Sequence, residues 1–521
     1  MSEKITFTEN DLYKSLKKHD ADILKHFNDS NLSDQEYLFY AINSDIMSNA
    51  LGVLINMMSG NIESVGVDNN CRGIIEAFVI LKMIALGDIS DNQAEIFRYQ
   101  YSLVDLDNYK KLLSDEDKKH PNYANLINDR AKAMNALSKH FNLSVSQIRK
   151  KYSNVLDDPN LYLKHSPNDR INFAHLLEEY PINDDCGYAK MYELFSIFAH
   201  PRYEENSNIE NGILNLRQVY IDKVMEYVFQ YLLNSKLIIK DDSLPGFKED
   251  FLINPVLKNN IENIKTTEMA FGFLEEYICK FDKGYDAFTF DYLEKMKHLI
   301  IDMMISVSLG YKEQVVSKFK SFIEYTSIYI CVNMVEDLNE FKNLKYGYLY
   351  SSRLQIEEHI KGVIPNGGGA VDVTPLKALF DVFYGPRYGL NDYAQFEKRI
   401  RGNSLYFLDK YAKAYNRFVT TALNQLFLGD EEKHVLALYK ASKDMNHASG
   451  YNFNSSEGIW DSSCWKTLII VWKCMIQLTI RASLILEEHG IKRNVDVIVK
   501  QFTLFLKVVE DELKKVVESY Q

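Results

Sequence analysis

The chain predicts an all-α fold, and three observations carry that prediction. Helix breakers are scarce, with 10 prolines and 23 glycines in 521 residues, so long helices can run uninterrupted. Apolar residues recur at three- and four-residue intervals along successive segments. No stretch alternates apolar and polar residues between turn signals, as a half-buried strand would.

Residues 8–30 place Leu12, Leu16, Ile23, Leu24 and Phe27 on one helical stripe, which Asn28-Asp29-Ser30 stops. Ser33-Asp-Gln-Glu36 has the spacing of a capping box for the next helix. Residues 37–59 and 70–87 read as two strongly apolar helices joined through Ser59-Gly60, and 91–113 as another. The segment 114–170 is rich in Lys, Asp and Asn, carries Pro121, Pro159 and Pro167, and suits two short helices. Helices at 171–180, 187–199 and 210–235 follow. Asp241-Asp-Ser-Leu-Pro-Gly246 then marks a boundary by its turn chemistry. Beyond it, helices at 288–309, 313–337 and 340–362 echo those at 37–59, 70–87 and 91–113. Pro365-Asn-Gly-Gly-Gly369 opens an insert expected to be irregular to about residue 391, and an amphipathic helix over 492–519 ends the chain.

The echo extends to particular residues. Arg72-Gly-Ile-Ile-Glu76 matches Lys320-Ser-Phe-Ile-Glu324 at an offset of 248 (324 − 76). Arg98-Tyr-x-Tyr101 matches Lys345-Tyr-x-Tyr348 at 247 (345 − 98), and Tyr192-x7-His200 matches Tyr439-x7-His447 at 247 (439 − 192). Arg170-x9-Tyr180 matches Arg401-x9-Tyr411 at 231 (401 − 170), so connections of unequal length separate the blocks. The expected organisation is two tandem, internally duplicated helical bundles: an N-terminal helical segment (1–36), a first bundle (37–240), a linker (241–261), a second bundle (262–490) and a C-terminal capping helix (491–521). Two related units can pair inside one chain as the subunits of a homodimer do.

A net charge of −12 excludes a protein that coats nucleic acid through a broad basic field, while leaving room for a small basic cleft. The six cysteines are scattered, with no CxxC pair and no histidine cluster beside them. Disulfides, a structural metal and a cofactor are therefore not expected, and a reducing cytoplasm is the natural compartment. The N-terminus is charged and has no apolar signal core. The longest apolar runs, 77–86, 299–309 and 467–486, are short or broken by Lys473 and Arg481, and none is expected to span a membrane.

Two constellations could carry chemistry. Glu76 sits among apolar helix neighbours, where a carboxylate is costly unless paired, and Arg72 one turn earlier is its counter-ion. Lys320 and Glu324 repeat the spacing. Such a pair either fixes helix register or forms a polar cluster facing a cleft between helices. In the second constellation Tyr192, Ser196 and His200 share one helix face, and Pro201 ends the helix straight after the imidazole. A helix C-terminus favours a protonated histidine, so His200, like its counterpart His447, suits either a general acid/base or a helix-end cap. Nucleophile elbow, His-Glu-x-x-His, Walker and GxGxxG signatures are missing.

An Arg-x3-Glu helix, a Tyr-rich second helix and a Tyr-x3-Ser-x3-His-Pro block together resemble an uncharacterised all-helical bacterial family of unknown function, similar to HEPN proteins. The resemblance covers about 45–235 and 285–488. It implies helical bundles that pair, and metal-independent ribonuclease chemistry in phage defence or toxin systems. Histidine would handle the 2′-hydroxyl proton, and arginine would stabilise charge developing on the phosphate. On that implication His200, His447, Arg72, Glu76, Tyr192 and Tyr439 are the catalytic candidates, and Arg98, Arg170, Arg202, Lys320 and Lys345 the substrate-binding ones. The chain departs from the Arg-x4–6-His signature at both histidines. Its two matches, Arg170-x4-His175 and Arg353-x5-His359, do not correspond between the repeats. The expected function is an effector acting on or binding RNA between the repeats. The alternatives are a non-catalytic sensor or scaffold for a partner protein of the same operon, and a hydrolase of another type. Self-association is compatible with each.

Overall fold

Ser33 sets the start of the first long core helix by reciprocal capping: its Oγ accepts from the Glu36 amide at 3.2 Å, and its own amide donates to Glu36 Oε2 at 2.9 Å. In the computed structural model the described residues are 8–29, 32–91, 94, scattered positions in 117–147, 173–182, 187–199, 208–239, 243–248, 250, 255–281, 287–333, 354, 373–402, scattered positions in 435–442, and most of 457–519. Every regular element among them is helical, in accord with the all-α reading.

The first half contains α1 (Glu9–Asp29), α2 (Asp34–Ser59), α3 (Val65–Ala85), α4 (Phe173–Glu179), α5 (Tyr188–Phe198) and α6 (Asn208–Asn234). α2 and α3 form an antiparallel hairpin against which α1, α5 and α6 pack. The second half contains α7 (Pro255–Phe281), α8 (Ala287–Ser308) and α9 (Lys312–Asn333). α7 packs on α8, α8 and α9 form the hairpin, and α13 (Glu457–Glu488) packs on α9 and α7. α14 (Asp496–Glu518) lies on α13 and α7, where Trp472 stacks on Phe502 at 5.4 Å.

Both hairpins turn the same way. Gly60 (φ +72°) closes α2 with the Asn61 amide bonded to the Asn56 carbonyl at 2.8 Å. Gly310 (φ +87°) closes α8 with the Tyr311 amide bonded to the Ser306 carbonyl at 2.9 Å. Each glycine adopts the left-handed conformation that a Cβ would strain. The two hairpins meet through α2, α3, α8 and α9. Val65 enters the core of the second half, while Ile305 and Tyr311 enter that of the first.

Leu12, Tyr13, Leu16 and Ile23 of α1, in the N-terminal helical segment, join the core of the first half. Within the stretch read as a linker, Phe247 meets Tyr13 edge to face, Asp250 accepts from Tyr13 and Lys17, and residues from Pro255 onward are helical. One expectation needs correction: the insert 365–391, expected to be irregular, holds regular structure where it is described. α10 (Thr374–Leu379) runs through a π-helical turn (Phe380–Tyr384) into α11 (Gly385–Tyr388), and α12 (Tyr393–Gly402) follows. Aromatic packing explains this order: Phe380, Tyr384 and Phe396 share a small core with Leu354 and Leu376. The expected helices at 91–113 and 340–362 lie almost wholly outside the described residues. Among the described residues two helical stretches, Asp34–Ser59 and Ser462–Leu484, are long and apolar enough to cross a membrane, with 67% and 56% of their apolar windows buried inside the fold.

Candidate functional site

The sequence-marked carboxylates, Glu76 and Glu324, are buried, and each sits at the centre of a triad, one per half. Glu76 on α3 is fully buried, and its Oε1 accepts from Arg72 Nε at 3.1 Å and from the Tyr192 hydroxyl at 3.0 Å. The Arg72 guanidinium also stands over the Tyr192 ring, 5.4 Å from its centroid. Burial pushes the Tyr192 hydroxyl pKa up, and the Glu76 charge adds to this. Burial opposes the charge on Arg72, but its contacts with Tyr192 and Glu76 more than offset that and hold it above its ordinary range.

In the second half Glu324 on α9 takes the place of Glu76. Its Oε1 accepts from the Tyr439 hydroxyl at 3.0 Å, and Lys320 Nζ lies 4.0 Å from the same oxygen. Tyr439 is buried, and desolvation followed by the Glu324 charge raises its pKa. The structure therefore unites Arg72, Glu76 and Tyr192, and separately Lys320, Glu324 and Tyr439. Both tyrosines are held as neutral donors to a carboxylate enclosed by the core. Such a group fixes one helix against another: the hydroxyl clamps α5 to α3, and its equivalent clamps the segment carrying Tyr439 to α9. Lys320 is buried beside Glu324, the pairing its spacing suggested. The remaining candidates, His200, His447, Arg98, Arg170, Arg202 and Lys345, lie outside the described residues.

A second polar constellation, between the two hairpins, escaped the sequence reading. Asp302 on α8 is fully buried and accepts from Lys318 Nζ at 2.5 Å, Asn56 Nδ2 at 2.9 Å and Ser64 Oγ at 2.9 Å. Lys318 also donates to Ser306 Oγ at 2.9 Å. Asn61 extends the network, donating to Asn56 Oδ1 at 2.9 Å and to the His298 carbonyl at 3.1 Å. Beside it, the Arg217 guanidinium grips Asp68 through two bonds of 2.8 Å and donates to the Ser64 carbonyl at 3.2 Å. The signal was present in the sequence. Asp302 interrupts the apolar run 299–305, and Asp68-Asn69-Asn70 open an otherwise apolar helix. Like Glu76, these side chains demand partners once the apolar faces around them are buried.

His298 sits at the edge of this network, its Nε2 3.5 Å from both Glu63 and Glu294. The hydrogen bond from His298, with Lys297 beside it, holds the Glu294 carboxyl down at about 2. Among the described residues no group of three or more His, Cys, Asp or Glu is arranged to hold a metal ion. Among described side chains Cys71, Cys464 and Cys474 are free, buried thiols. No family model, curated protein or solved structure matches this chain.

Proposed function

We propose that the chain is an internally duplicated pair of HEPN-like units that acts on RNA between its two halves, as an effector of an antiphage or toxin system in the cytoplasm. The supporting observation is the recurrence of one triad, tyrosine to glutamate at 3.0 Å with a cation one turn earlier, in both halves. In this reading the triads are positioning groups. Each locks the segment that leads, eight residues on in sequence, to His200 or His447. The histidines then move the proton: one takes it from the 2′-hydroxyl, the 2′-oxygen bonds to phosphorus, and the 5′-oxygen leaves with a proton returned to it. Arg98, Arg170, Arg202 and Lys345 supply the cations for the phosphate.

A second reading, a non-catalytic helical sensor or scaffold binding a partner protein, is favoured by one specific observation. Glu76, Lys320, Glu324 and Tyr439 are buried, Arg72 and Tyr192 are partly so, and the members of each triad engage one another rather than an open cleft. Expression toxicity and cellular RNA integrity separate the two, comparing the parent chain with His200→Ala and His447→Ala. Toxicity with RNA breakage that either substitution abolishes supports the effector. Intact RNA in all three supports the scaffold.

A further inference from the structure

Two contacts between the hairpins correspond under the sequence offset of the halves, but their two sides are filled differently. Aligning the capping glycines Gly60 and Gly310 sets Gly52 opposite Asp302 in the correspondence between halves. Aligning Glu76 with Glu324 sets Gly66 against Gln314 and Asn70 against Lys318. Contacts in space obey this correspondence. A Cβ at Gly66 would collide with Asp302 Oδ2 and lie 3.0 Å from Lys318 Cε. A Cβ at Gly52 would collide with the Asn70 amide and lie 3.2 Å from Gln314 Oε1. The first half thus contributes a glycine at both related contacts; the second half contributes Asp302 against Gly66, and Gln314 against Gly52, where the first half's own Asn70 is nearer still.

We propose that this arrangement is a pairing code that makes the second half the fitting partner of the first and rejects like-with-like pairing. Two copies of the second hairpin would press Asp302 against Gln314 at both contacts, crowding two side chains where one fits. Two copies of the first would set Gly52 against Gly66 and leave voids. Asp302 and Lys318 add a charge pair that is neutralised only when Gly66 leaves room for it. Specificity here comes from penalties on the wrong pair as much as from contacts in the right one. The code rests on packing and one buried ion pair, and does not depend on any action on RNA.

The test uses the full chain. One set of substitutions gives the first half the long side chains (Gly52→Asp, Gly66→Gln, Asn70→Lys). Another gives the second half the small ones (Asp302→Gly, Gln314→Gly, Lys318→Asn). Each set alone makes the two faces alike and is expected to lower Tm by roughly 5 °C or more. All six together exchange the roles, and more than half of the summed loss is expected to return, with the chain's mass in solution unchanged. A sixfold variant whose loss equals the sum of the two sets overturns the proposal. Should either triple variant fail to fold, a cycle of Gly66→Ala with Asp302→Ser decides. A double variant that loses clearly less Tm than the two singles summed supports the code, and strict additivity overturns it.

Discussion

The Tyr439 hydroxyl donates to Glu324 Oε1 at 3.0 Å, across 115 residues of chain, and Tyr192 donates to Glu76 at the same distance across 116. A hydroxyl that crosses so much chain to reach a buried carboxylate holds two helices in register, and it does so in both halves.

Removing that hydroxyl should therefore cost similar amounts in either half. Tyr192→Phe and Tyr439→Phe are each expected to destabilise the chain by about 1–3 kcal/mol, since a buried acceptor loses a donor. Glu324→Ala leaves Lys320 buried without its carboxylate and should cost more, about 3–5 kcal/mol. Urea denaturation of the three variants checks the order. A Tyr439→Phe variant as stable as the parent would contradict the clamp.

The same tyrosines set an alkaline limit. Their folded pKa values lie above the ordinary value of 10, so their contribution is complete below about pH 10 and lost as pH rises through the folded values. Thermal melting between pH 9 and 11 should show a shallower loss of Tm for Tyr439→Phe than for the parent. Parallel curves would show that this hydroxyl is not what the alkali attacks.

An acid limit follows from Glu294. His298 and Lys297 depress its pKa from 4.5 to about 2, so its stabilising contribution is present above about pH 4.5 and fades as pH falls toward 2. Neighbouring Glu275 is shifted the other way, by burial and then by the Glu294 charge, and offsets part of this. Glu294→Gln should flatten the dependence of Tm on pH between 4.5 and 2. An unchanged slope would remove Glu294 from the acid transition.

The turn glycines give a local test. Gly60→Ala and Gly310→Ala force a Cβ into the left-handed region, while beyond the adjoining residues nothing lies within 4 Å of the point that either new Cβ would occupy. Each should cost about 1 kcal/mol, and the two should add because they cap different helices. Chemical denaturation of the singles and the double measures this.

Much of the fold could be read from the chain because its signals are local. Ser33 and Glu36 announce a capping box, and the apolar spacing of 37–59 and 70–87 announces the hairpin. The correspondence of Glu76 with Glu324 was legible too, because a carboxylate in an apolar helix demands a partner. That Tyr192 and Tyr439 complete those pairs was not, since the bonds span more than a hundred residues of intervening chain. Asp302 and Lys318 were not legible as a pair although each breaks an apolar stretch, because they lie on different helices and only the packed hairpins bring them together. The small core around Phe380 and Phe396 was hidden because the run Gly367-Gly368-Gly369 reads in the sequence as loop chemistry and obscures the aromatic spacing after it.

The most direct test of the account as a whole is incubation of the purified chain with single-stranded RNA in the presence of EDTA, with product ends identified. Attack by the 2′-oxygen predicts cleavage that survives the chelator, leaves 2′,3′-cyclic phosphate ends, and is abolished in the His200→Ala, His447→Ala double variant. RNA that stays intact and unbound, or cleavage that the double variant retains, would contradict it.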